Sequence, residues 1–493
     1  MAIIGAGFGG IGMAVRLKQA GFCDLVVFER SDDVGGVWRA NTYPGAACDV
    51  PSHLYSFSFA PEPGWSRRFA PQAEIHAYLR RVARDFGVLP HVRLGTEVLA
   101  ADFDEDAAVW RLQLAGGEVH EADVLVAACG QLSRPSTPDL PGLDRFRGTV
   151  FHSAEWDHDH DLRGERVAVI GTGASAVQFV PRIAPLTSRL HVFQRSAPYV
   201  IPKPDRPYGE RARRLFARVP ALLAVSRAAN YVNNELRSLG FNTEPRLMAG
   251  HRRRFLAHLR RSVPDPVLRA KLTPTDPMGC KRILVSDDWY PALQLPQVEL
   301  CTDPVVEVRE HGVVTADGTE REVDTIVLGT GFATTGFLVP MRVTGRGGRD
   351  LHAQWGGAPR AHLGTVVPGF PNLFLLYGPN TNLGHNSIVY MIESQVRYVL
   401  QAVQHLSRAG GWLDVRPEVA DASDAWVQQR TRGTVFAGGC QSWYLTPDGR
   451  NTQNWPASTL TFRRRLRRLR LQEYEVRPAA LPRQPSRRER VTA

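Results

Sequence analysis

Two glycine-rich stretches constrain the fold of this chain more than any other feature of its sequence. In "MAIIGAGFGG", Gly5, Gly7 and Gly10 follow a short apolar run, a helix is expected from Ile11 to about Gly21, and the strand "DLVVFER" comes next. The later stretch "RVAVIGTGASAVQFVPRIAPLTSRLHVFQRS" repeats the order of strand, glycine turn, helix and strand. Each pattern predicts a βαβ unit. We therefore predict an α/β protein with two Rossmann-like domains.

The first glycine turn, residues 5–10, has the spacing of a dinucleotide-binding site. Gly5 permits the tight turn, Gly7 lets backbone approach a pyrophosphate at the helix N-terminus, and Gly10 allows close helix–strand packing. Glu29 ends the second strand about twenty residues later, where an acidic side chain binds a ribose 2′-hydroxyl. This unit is expected to bind FAD or NAD.

The second glycine turn, residues 171–176, holds Gly171, Gly173 and Ala176 at the same three positions, and Ser175 is a further expected cofactor contact. Its second strand ends in Arg195, followed by Ser196, where the first unit has an acid. An arginine pairs with a 2′-phosphate that an acid would repel. The second unit is therefore expected to bind NADPH, and two such sites in one chain indicate a flavoprotein reduced by NADPH.

The order of segments predicts a discontinuous first domain. The chain has 493 residues, enough for two or three packed units, and the proline-rich "SRPSTPDLPGL" is typical of a connection. An arginine-rich, helical stretch covers residues 208–272, and a strong helix, "NSIVYMIESQVRYVLQAVQHL", comes late. We predict an FAD domain of residues 1–145 and 335–493, and an NADPH domain of residues 146–334 with a helical insertion at about 205–275.

Composition places the chain among globular proteins, with 43% hydrophobic and 22% charged residues. No apolar run is long enough to span a bilayer and no signal peptide opens the chain, so a cytoplasmic location with no membrane partner is expected. The net charge of +11 comes mostly from arginine, part of it near the C-terminus, without a nucleic-acid module. No nucleic-acid partner is expected, and the oligomeric state is left open.

The six cysteines contain no C-x-x-C pair, so the sequence gives no support for a metal site or a disulfide framework, and six reduced, mostly buried thiols are expected. Three classes of flavoprotein remain: a disulfide reductase, a simple oxidoreductase and an oxygen-inserting monooxygenase. A disulfide reductase needs paired redox cysteines soon after the first nucleotide unit. The segment "VGGVWRANTYPGAACDVPS" contains only Cys48, which disfavours that class.

A further motif lies immediately before the second glycine turn. Five residues fit F-x-G-x-x-x-H-x-x-x-W-D, and we call them the fingerprint: Phe146, Gly148, His152, Trp156 and Asp157. Together with "GGVWRANTYPGAACDVPSHLYSFSF", "GCKRILVSDDWYPAL", "LYGPNTNLGHNS" and "CQSWYL", it makes nearly the whole chain resemble the Baeyer–Villiger monooxygenases, a branch of the class B flavoprotein monooxygenases.

The resemblance implies a reaction. FAD, NADPH and O₂ would convert a ketone to an ester or lactone through a flavin C4a-peroxide, which must stay anionic to attack the carbonyl. A related monooxygenase that oxidises sulfides or amines is one alternative, and a non-catalytic nucleotide-sensing protein is another. In the family the fingerprint couples cofactor binding to domain movement, so His152 is expected to be functional without acting as an acid or base.

The resemblance also implies roles for single residues. Arg282 in "GCKRIL" matches the family's catalytic arginine, and Asp49 in "AACDV" matches its acidic partner, also beside the flavin. Lys281 matches a second contact to the NADPH 2′-phosphate, and Trp443 matches a tryptophan that closes over the NADP ribose and substrate pocket. The remaining expected cofactor contacts are Gly36, Trp38 and Asn386.

One expectation concerns the long late helix. It begins near Ser387, and either Asn386 or Ser387 is a suitable N-cap. A helix N-terminus directed at the flavin pyrimidine would stabilise the negative charge of the reduced ring. This feature favours flavin binding without selecting the reaction.

Overall fold

The computed structural model describes residues 1–243, 246–440 and 442–477; the end of the basic C-terminal segment therefore lies outside the described residues. The strands are β1 (Ala2–Ile4), β2 (Val26–Phe28), β3 (Val92–Arg93), β4 (Val98–Asp104), β5 (Val109–Leu114), β6 (Val119–Ala122), β7 (Leu125–Ala127), β8 (Thr149–His152), β9 (Arg166–Ile170), β10 (Arg189–Phe193), β11 (Val200–Ile201), β12 (Leu284–Val285), β13 (Val298–Cys301), β14 (Val305–Arg309), β15 (Gly312–Thr315), β16 (Glu320–Glu322), β17 (Thr325–Leu328), β18 (Arg342–Thr344), β19 (Leu373–Leu375), β20 (Trp412–Val415) and β21 (Tyr474–Arg477).

The α-helices are α1 (Phe8–Gln19), α2 (Val37–Ala40), α3 (Gln72–Asp85), α4 (Ala176–Ile183), α5 (Glu210–Arg218), α6 (Pro220–Ser238), α7 (Leu247–Ser262), α8 (Pro266–Lys271), α9 (Trp289–Ala292), α10 (Leu351–Trp355), α11 (Ile388–Ala409), α12 (Pro417–Thr431) and α13 (Thr459–Arg465). A short π-helix, Leu239–Thr243, follows α6. Over the described part of the chain, no helix is long and apolar enough to cross a bilayer.

The first sheet has five parallel strands in the order β19-β7-β1-β2-β3. Its central strand β1 pairs with β2 on one side and β7 on the other, and β19, from late in the chain, forms one edge. Helices α1 and α11 pack together next to this sheet. Their inward side chains, among them Ile11, Val15, Met391 and Val399, are completely buried. Burial of each such side chain contributes about 1.5–3 kcal/mol.

Helix α1 begins at Phe8, three residues earlier than the sequence predicted. The prediction treated the glycines as a loop that precedes the helix. In the structure Gly7 is the N-cap, and Gly9 and Gly10 already belong to the first helical turn. The helix begins early because its first turn must lie directly against the strand turn, and glycine permits that approach.

The second sheet also has five parallel strands, in the order β13-β10-β9-β17-β8. Strand β9 leads into the second glycine turn and α4, and β10 follows. Helices α5 to α8 occupy the region 210–271, where the sequence predicted a helical stretch. The two parallel sheets, each with a glycine turn between a strand and the helix that follows it, confirm the predicted α/β fold with two Rossmann-like units.

Smaller sheets flank the two units. Strands β14-β15-β16 form an antiparallel sheet, β18-β4-β5-β6 form a mixed one, and β20 pairs with β21. The short parallel pair of β11 and β12 aligns Val200 with Leu284 and Ile201 with Val285. This pairing fixes the segment that carries Lys281 and Arg282 against the chain that leaves the second unit.

Candidate active site

The first glycine turn has no room for side chains. Gly5 has a φ of +98°, and a Cβ on Gly10 would lie 1.8 Å from the Gly5 carbonyl oxygen. Gly36 faces the turn from a neighbouring loop, so that a Cβ on Gly36 would lie 3.0 Å from the Gly7 Cα. Bare backbone N–H groups at a helix N-terminus suit a pyrophosphate. This cradle therefore fits the pyrophosphate of a dinucleotide.

Glu29 is buried beside this turn. Its Oε2 accepts a hydrogen bond of 2.8 Å from the Ala6 N–H, and its Oε1 accepts one of 2.9 Å from the Ser31 N–H. Each carboxylate oxygen keeps a further lone pair. The carboxylate is therefore held in place at the end of β2 and retains acceptors for a ribose hydroxyl.

The second glycine turn repeats this geometry. Gly171 has a φ of +111°, and a Cβ there would lie 2.4 Å from the Gly329 carbonyl oxygen. At Gly173 a Cβ would meet its nearest atom only at 3.9 Å, so the backbone faces open space. Ser175 is the N-cap of α4, and its side chain makes no capping hydrogen bond. The turn fits a second pyrophosphate.

A basic group lies at the end of β10, where a 2′-phosphate was expected. Lys281 Nζ donates a 3.0 Å hydrogen bond to Ser196 Oγ and forms a 2.6 Å ion pair with Asp276. Arg195 is exposed, and among the described residues it makes no ion pair. The fold thus brings Lys281 to Ser196 although 85 positions separate them in the sequence. Two cations and a hydroxyl suit a phosphate.

Arg282 and Asp49 form an ion pair. Arg282 Nε and Nη2 donate to Asp49 Oδ2 over 3.1 and 2.5 Å, and both side chains are about two-thirds buried. Burial opposes the charge of Asp49, but the adjacent guanidinium outweighs it and lowers the pKa of Asp49 below its usual value. Asp49 in turn raises the pKa of Arg282. The pair is therefore ionised at neutral pH.

Two tyrosines near Arg282 were not identified from the sequence. Tyr444 is buried, its hydroxyl has no hydrogen-bond partner among the described residues, and burial raises its pKa to about 12 against the opposing charge of Arg282. Tyr377 donates a 2.8 Å hydrogen bond to Asn382 and has a φ of +59°. A bulky residue in this left-handed region is strained, and such strain clusters at functional sites. The only sequence signal was their place inside "CQSWYL" and "LYGPN".

The loop before α11 ends with Ser387 at the N-cap, one of the two predicted residues. The Ser387 hydroxyl and both ring nitrogens of His385 are buried without hydrogen-bond partners in the described parts of the chain. His385 Nε2 lies 3.9 Å from Glu235 Oε2, too far for a hydrogen bond. Buried polar groups without hydrogen bonds at the N-terminus of a 22-residue helix fit a bound polar ring such as the flavin pyrimidine.

Asn386 makes contacts that the sequence did not predict. Its Nδ2 donates a 2.6 Å hydrogen bond to Glu235 on α6, and its Oδ1 accepts one of 2.8 Å from the Ser387 N–H. Glu235 also accepts a 2.7 Å hydrogen bond from Thr459. The Asn386 side chain therefore connects the helical segment 210–271 to the loop before α11.

The fingerprint runs along β8 and its flanks. A Cβ on Gly148 would lie 2.1 Å from the Asp324 carbonyl oxygen, so only glycine allows β8 to approach the segment before β17. Phe146 lies against Gly148. Trp156 packs between Phe151 and Phe179, with ring centroids 5.1 and 5.3 Å apart.

The two polar members of the fingerprint make local hydrogen bonds. His152 Nδ1 accepts one of 3.1 Å from the Ala154 N–H, and Asp157 Oδ1 accepts one of 3.0 Å from the Asp159 N–H. Burial lowers the pKa of His152, so the ring is neutral at pH 7, and it lies 5.9 Å from the ring of Phe332.

A cavity of about 900 Å³ lies between the first unit and the fingerprint. Residues 30–33 and 39–42, which follow Glu29, line one side, and Trp156 and Phe332 line another. The fingerprint therefore borders the open space next to the first nucleotide site. Arg282 and Trp443 do not line this cavity.

The two tryptophans expected near the cofactors are both accessible. Trp38 donates a 3.1 Å hydrogen bond from Nε1 to the Tyr55 hydroxyl and is partly buried. Trp443 is 40% exposed and contacts the ring of Tyr444 at 4.5 Å. This exposure excludes a purely structural core role for Trp443.

The structure corrects the expectation that all six cysteines are reduced. Cys280 and Cys440 form a disulfide, with Cα atoms 6.3 Å apart, across 160 positions of sequence. Spacing in the sequence could not reveal this pair, since it forms only because the segments ending in Lys281 and Trp443 meet. The other four cysteines are free.

A cluster of His191, Glu299 and Cys301 has donor atoms within 4.8 Å of one another. Glu299 accepts hydrogen bonds of 2.9 Å from His191 and 2.7 Å from Arg321. The cluster is thus a hydrogen-bonded network that contains a guanidinium, which a cation would have to displace.

Comparisons with known proteins show the family of this chain. Residues 1–341 match the family model described as flavin-binding monooxygenase-like. A Baeyer–Villiger monooxygenase of Streptomyces coelicolor is 48% identical over 97% of this chain and 93% of its own length, and one of Pseudomonas aeruginosa is 47% identical over 94% and 88%. The chain belongs to the Baeyer–Villiger monooxygenase family.

Solved structures of this family share the whole fold. A steroid monooxygenase bound to NADP superposes with a TM-score of 0.85 at 32% identity, over 96% of this chain and 98% of that one. Cyclohexanone monooxygenase of Rhodococcus sp. Phi1 bound to NADP⁺ gives 0.86 at 29% identity, over 97% and 99%. The predicted family and the predicted FAD and NADPH cofactors are confirmed, and the protein is a flavin-dependent monooxygenase.

Proposed function

We propose that this Baeyer–Villiger monooxygenase converts a ketone to an ester or lactone beside the Arg282–Asp49 ion pair, with NADPH as reductant and O₂ as oxidant. The proposal rests mainly on the Arg282 guanidinium, which the Asp49 carboxylate holds in a fixed orientation. Some of the N–H donors of Arg282 do not bind Asp49. Bound FAD, reduced by NADPH, supplies the activation of O₂. The chain's own residues supply the charge that the reaction needs.

Arg282 has five N–H donors, and Asp49 occupies two of them. The remaining donors can bind the negative oxygen that develops when a nucleophile adds to the ketone carbonyl. A charge-assisted hydrogen bond of this kind contributes about 1.5–3 kcal/mol. Because its pKa is raised, Arg282 keeps its charge and does not donate its proton.

We further propose that the two partners of this ion pair come from different domains. Asp49 would belong to an FAD domain of residues 1–145 and 335–493, because β1, β2, β3, β7 and β19 share one sheet. Arg282 would belong to an NADPH domain of residues 146–334, because the strands of the second sheet lie in that range. The catalytic pair then forms only when the domains dock, which ties reaction to cofactor binding.

Arg195, Ser196 and Lys281 would bind the 2′-phosphate of NADPH, and the fingerprint would transmit domain movement from its place beside the cavity. The proposal that the organic substrate is a ketone rests on the role assigned to Arg282 and Asp49. The cytoplasmic location expected from the sequence stays a prediction.

The test compares Arg282→Ala with Arg166→Ala, an arginine in a surface ion pair. Each variant is incubated with NADPH, ¹⁸O₂ and a panel of ketones and sulfides, and products are analysed by mass spectrometry. We expect Arg282→Ala to be reduced by NADPH at the wild-type rate and to form no labelled ester, while Arg166→Ala behaves as wild type. Ester formation by Arg282→Ala at the wild-type rate would remove this residue from the mechanism, and labelled sulfoxides without esters from wild type would favour S-oxidation.

A further inference from the structure

The positive charge of this chain is concentrated in two regions, and the larger excess lies in the helical segment. Residues 208–272 contain fourteen lysines and arginines against four acidic residues, a net charge of +10, while the whole chain carries +11. This region contains helices α5 to α8. The C-terminal residues 463–493 carry a further +8, with eleven arginines against three acidic residues, so the remainder of the chain is net negative. The charge of the helical region therefore needs an explanation of its own.

The outward side of helix α6 is apolar. Its exposed large side chains follow a spacing of three and four residues, as in one stripe of a helix, and continue into the π-helix: Leu222, Val225, Val232, Leu236 and Leu239. Val225 is 64% exposed, Leu236 is 62% exposed and Val232 is 53% exposed. Ala229 occupies the remaining position of the stripe and is also exposed.

The opposite side of α6 packs on the protein. Leu223, Asn234 and Ser238 are buried there, and Glu235 reaches Asn386 and Thr459. The apolar stripe is therefore not the side of α6 that packs on the protein core. An apolar surface of this kind on a folded protein marks a site of interaction.

Helix α5 packs against α6 and carries exposed positive charge. Arg211, Arg213 and Arg218 are exposed, and none of them forms an ion pair among the described residues. Only Arg214 is paired, with Glu210. Leu215, half exposed, extends the apolar surface onto α5. We call the stripe of α6 and these residues of α5 the α5–α6 face.

We propose that the α5–α6 face binds the surface of an anionic lipid bilayer. The apolar stripe would enter the boundary between headgroups and acyl chains, and the arginines would contact lipid phosphates. A second copy of the chain fits less well, because pairing two such faces would bring two strongly basic surfaces together. The contact is interfacial, and it amends the expectation of no membrane partner.

The test uses the FAD-loaded full-length protein and flotation with vesicles. One set contains equal parts of phosphatidylglycerol and phosphatidylcholine, and the other contains phosphatidylcholine alone. We expect wild type to bind the anionic vesicles at physiological salt at least about tenfold more strongly than the neutral ones, and this preference to weaken as salt increases.

Matched variants separate the face from general charge. The first variant carries Val225→Glu, Val232→Glu and Leu236→Glu, and its control carries Leu99→Glu, Val119→Glu and Val306→Glu, three exposed residues elsewhere. The second carries Arg211→Gln, Arg213→Gln and Arg218→Gln, with Arg408→Gln, Arg430→Gln and Arg432→Gln as control. All substituted residues are exposed, so we expect normal flavin content throughout.

We expect each variant of the face to bind anionic vesicles at least about tenfold more weakly and each control to bind as wild type. The proposal is overturned if wild type does not float with anionic vesicles, or if a control loses as much binding as its partner. It is also overturned if sedimentation velocity shows a wild-type dimer that the stripe variant dissolves while vesicle binding is unchanged, since the face would then join two copies.

Discussion

Neighbouring residues in this site serve different partners. Lys281 contacts Ser196 and Asp276, whereas the next residue, Arg282, contacts Asp49. Lysine is a compact point charge that suits a phosphate, and arginine presents a planar fork that a carboxylate can hold in a fixed orientation. Lys281 and Arg282 therefore cannot exchange places, even though both are cations.

Replacement of Lys281 by alanine should weaken the binding of NADPH more than the binding of NADH. We expect the KM for NADPH to rise about 10- to 100-fold, because a charge-assisted contact to the 2′-phosphate contributes about 1.5–3 kcal/mol. The KM for NADH, which has no 2′-phosphate, should change less than about twofold and is the internal control. Steady-state kinetics with both nucleotides checks this, and an equal rise for NADH would assign Lys281 a structural role instead.

At the scale of elements, each βαβ unit depends on how closely its first helix lies on its strand. In the first unit the Gly10 Cα faces the Gly5 carbonyl, with no space for a methyl group. The second unit differs, because Ala176 stands where the first unit has Gly10, and Gly171 lies against Gly329 at the end of the neighbouring strand β17. The glycines thus determine the angle at which helix and strand meet, and with it the position of the free N–H groups.

Gly10→Ala is expected to destabilise the protein and to abolish FAD binding. The new Cβ would lie 1.8 Å from a backbone oxygen that cannot move without displacing β1. We expect a loss of about 3 kcal/mol in the free energy of unfolding, measured in urea, together with loss of the flavin absorbance.

The matched control is Gly250→Ala. Gly250 is also helical, in α7, and a Cβ there meets nothing within 4 Å. This substitution should stabilise the protein by about 0.5–1 kcal/mol, because alanine is the better helix former, and should leave flavin content unchanged. If Gly10→Ala and Gly250→Ala show the same free energy of unfolding and the same flavin content, the close approach at Gly10 does not contribute to stability.

At the scale of the whole molecule, long-range contacts converge on the site. Arg282 reaches Asp49 across 233 positions of sequence, and Glu235 reaches Asn386 across 151. The disulfide joins the segment before Lys281 to the segment before Trp443. These links hold the proposed substrate and nucleotide sites as one assembly, although their residues come from distant parts of the chain.

Cys440→Ser should lower the free energy of unfolding by roughly 2–5 kcal/mol, because the disulfide restricts a long loop in the unfolded chain. Urea unfolding with and without reductant measures the effect, which should disappear when wild type is reduced. Cys23→Ser is the control, since Cys23 is exposed and free. Peptide mapping without reduction should recover Cys280 linked to Cys440, and recovery of both as free thiols would contradict the structure.

The sequence by itself determined both βαβ units, because strand and helix periodicity and the glycine spacing are local patterns. It also determined the family, through motifs whose residues lie close together in the chain. It placed the N-cap of α11 at one of two residues, and the structure selected Ser387. The start of α1 was wrong by three residues because close packing, not local propensity, decides where that helix begins.

Only the tertiary structure decided which distant groups meet and which faces are covered. The Cys280–Cys440 disulfide, the Glu235–Asn386 hydrogen bond and the buried Tyr444 hydroxyl all depend on segments that approach only after folding. The stripe of α6 shows this most directly, because its spacing is the same as that of a core face. Periodicity establishes that a helix has two unlike sides, but which side meets water depends on what the rest of the chain packs against it.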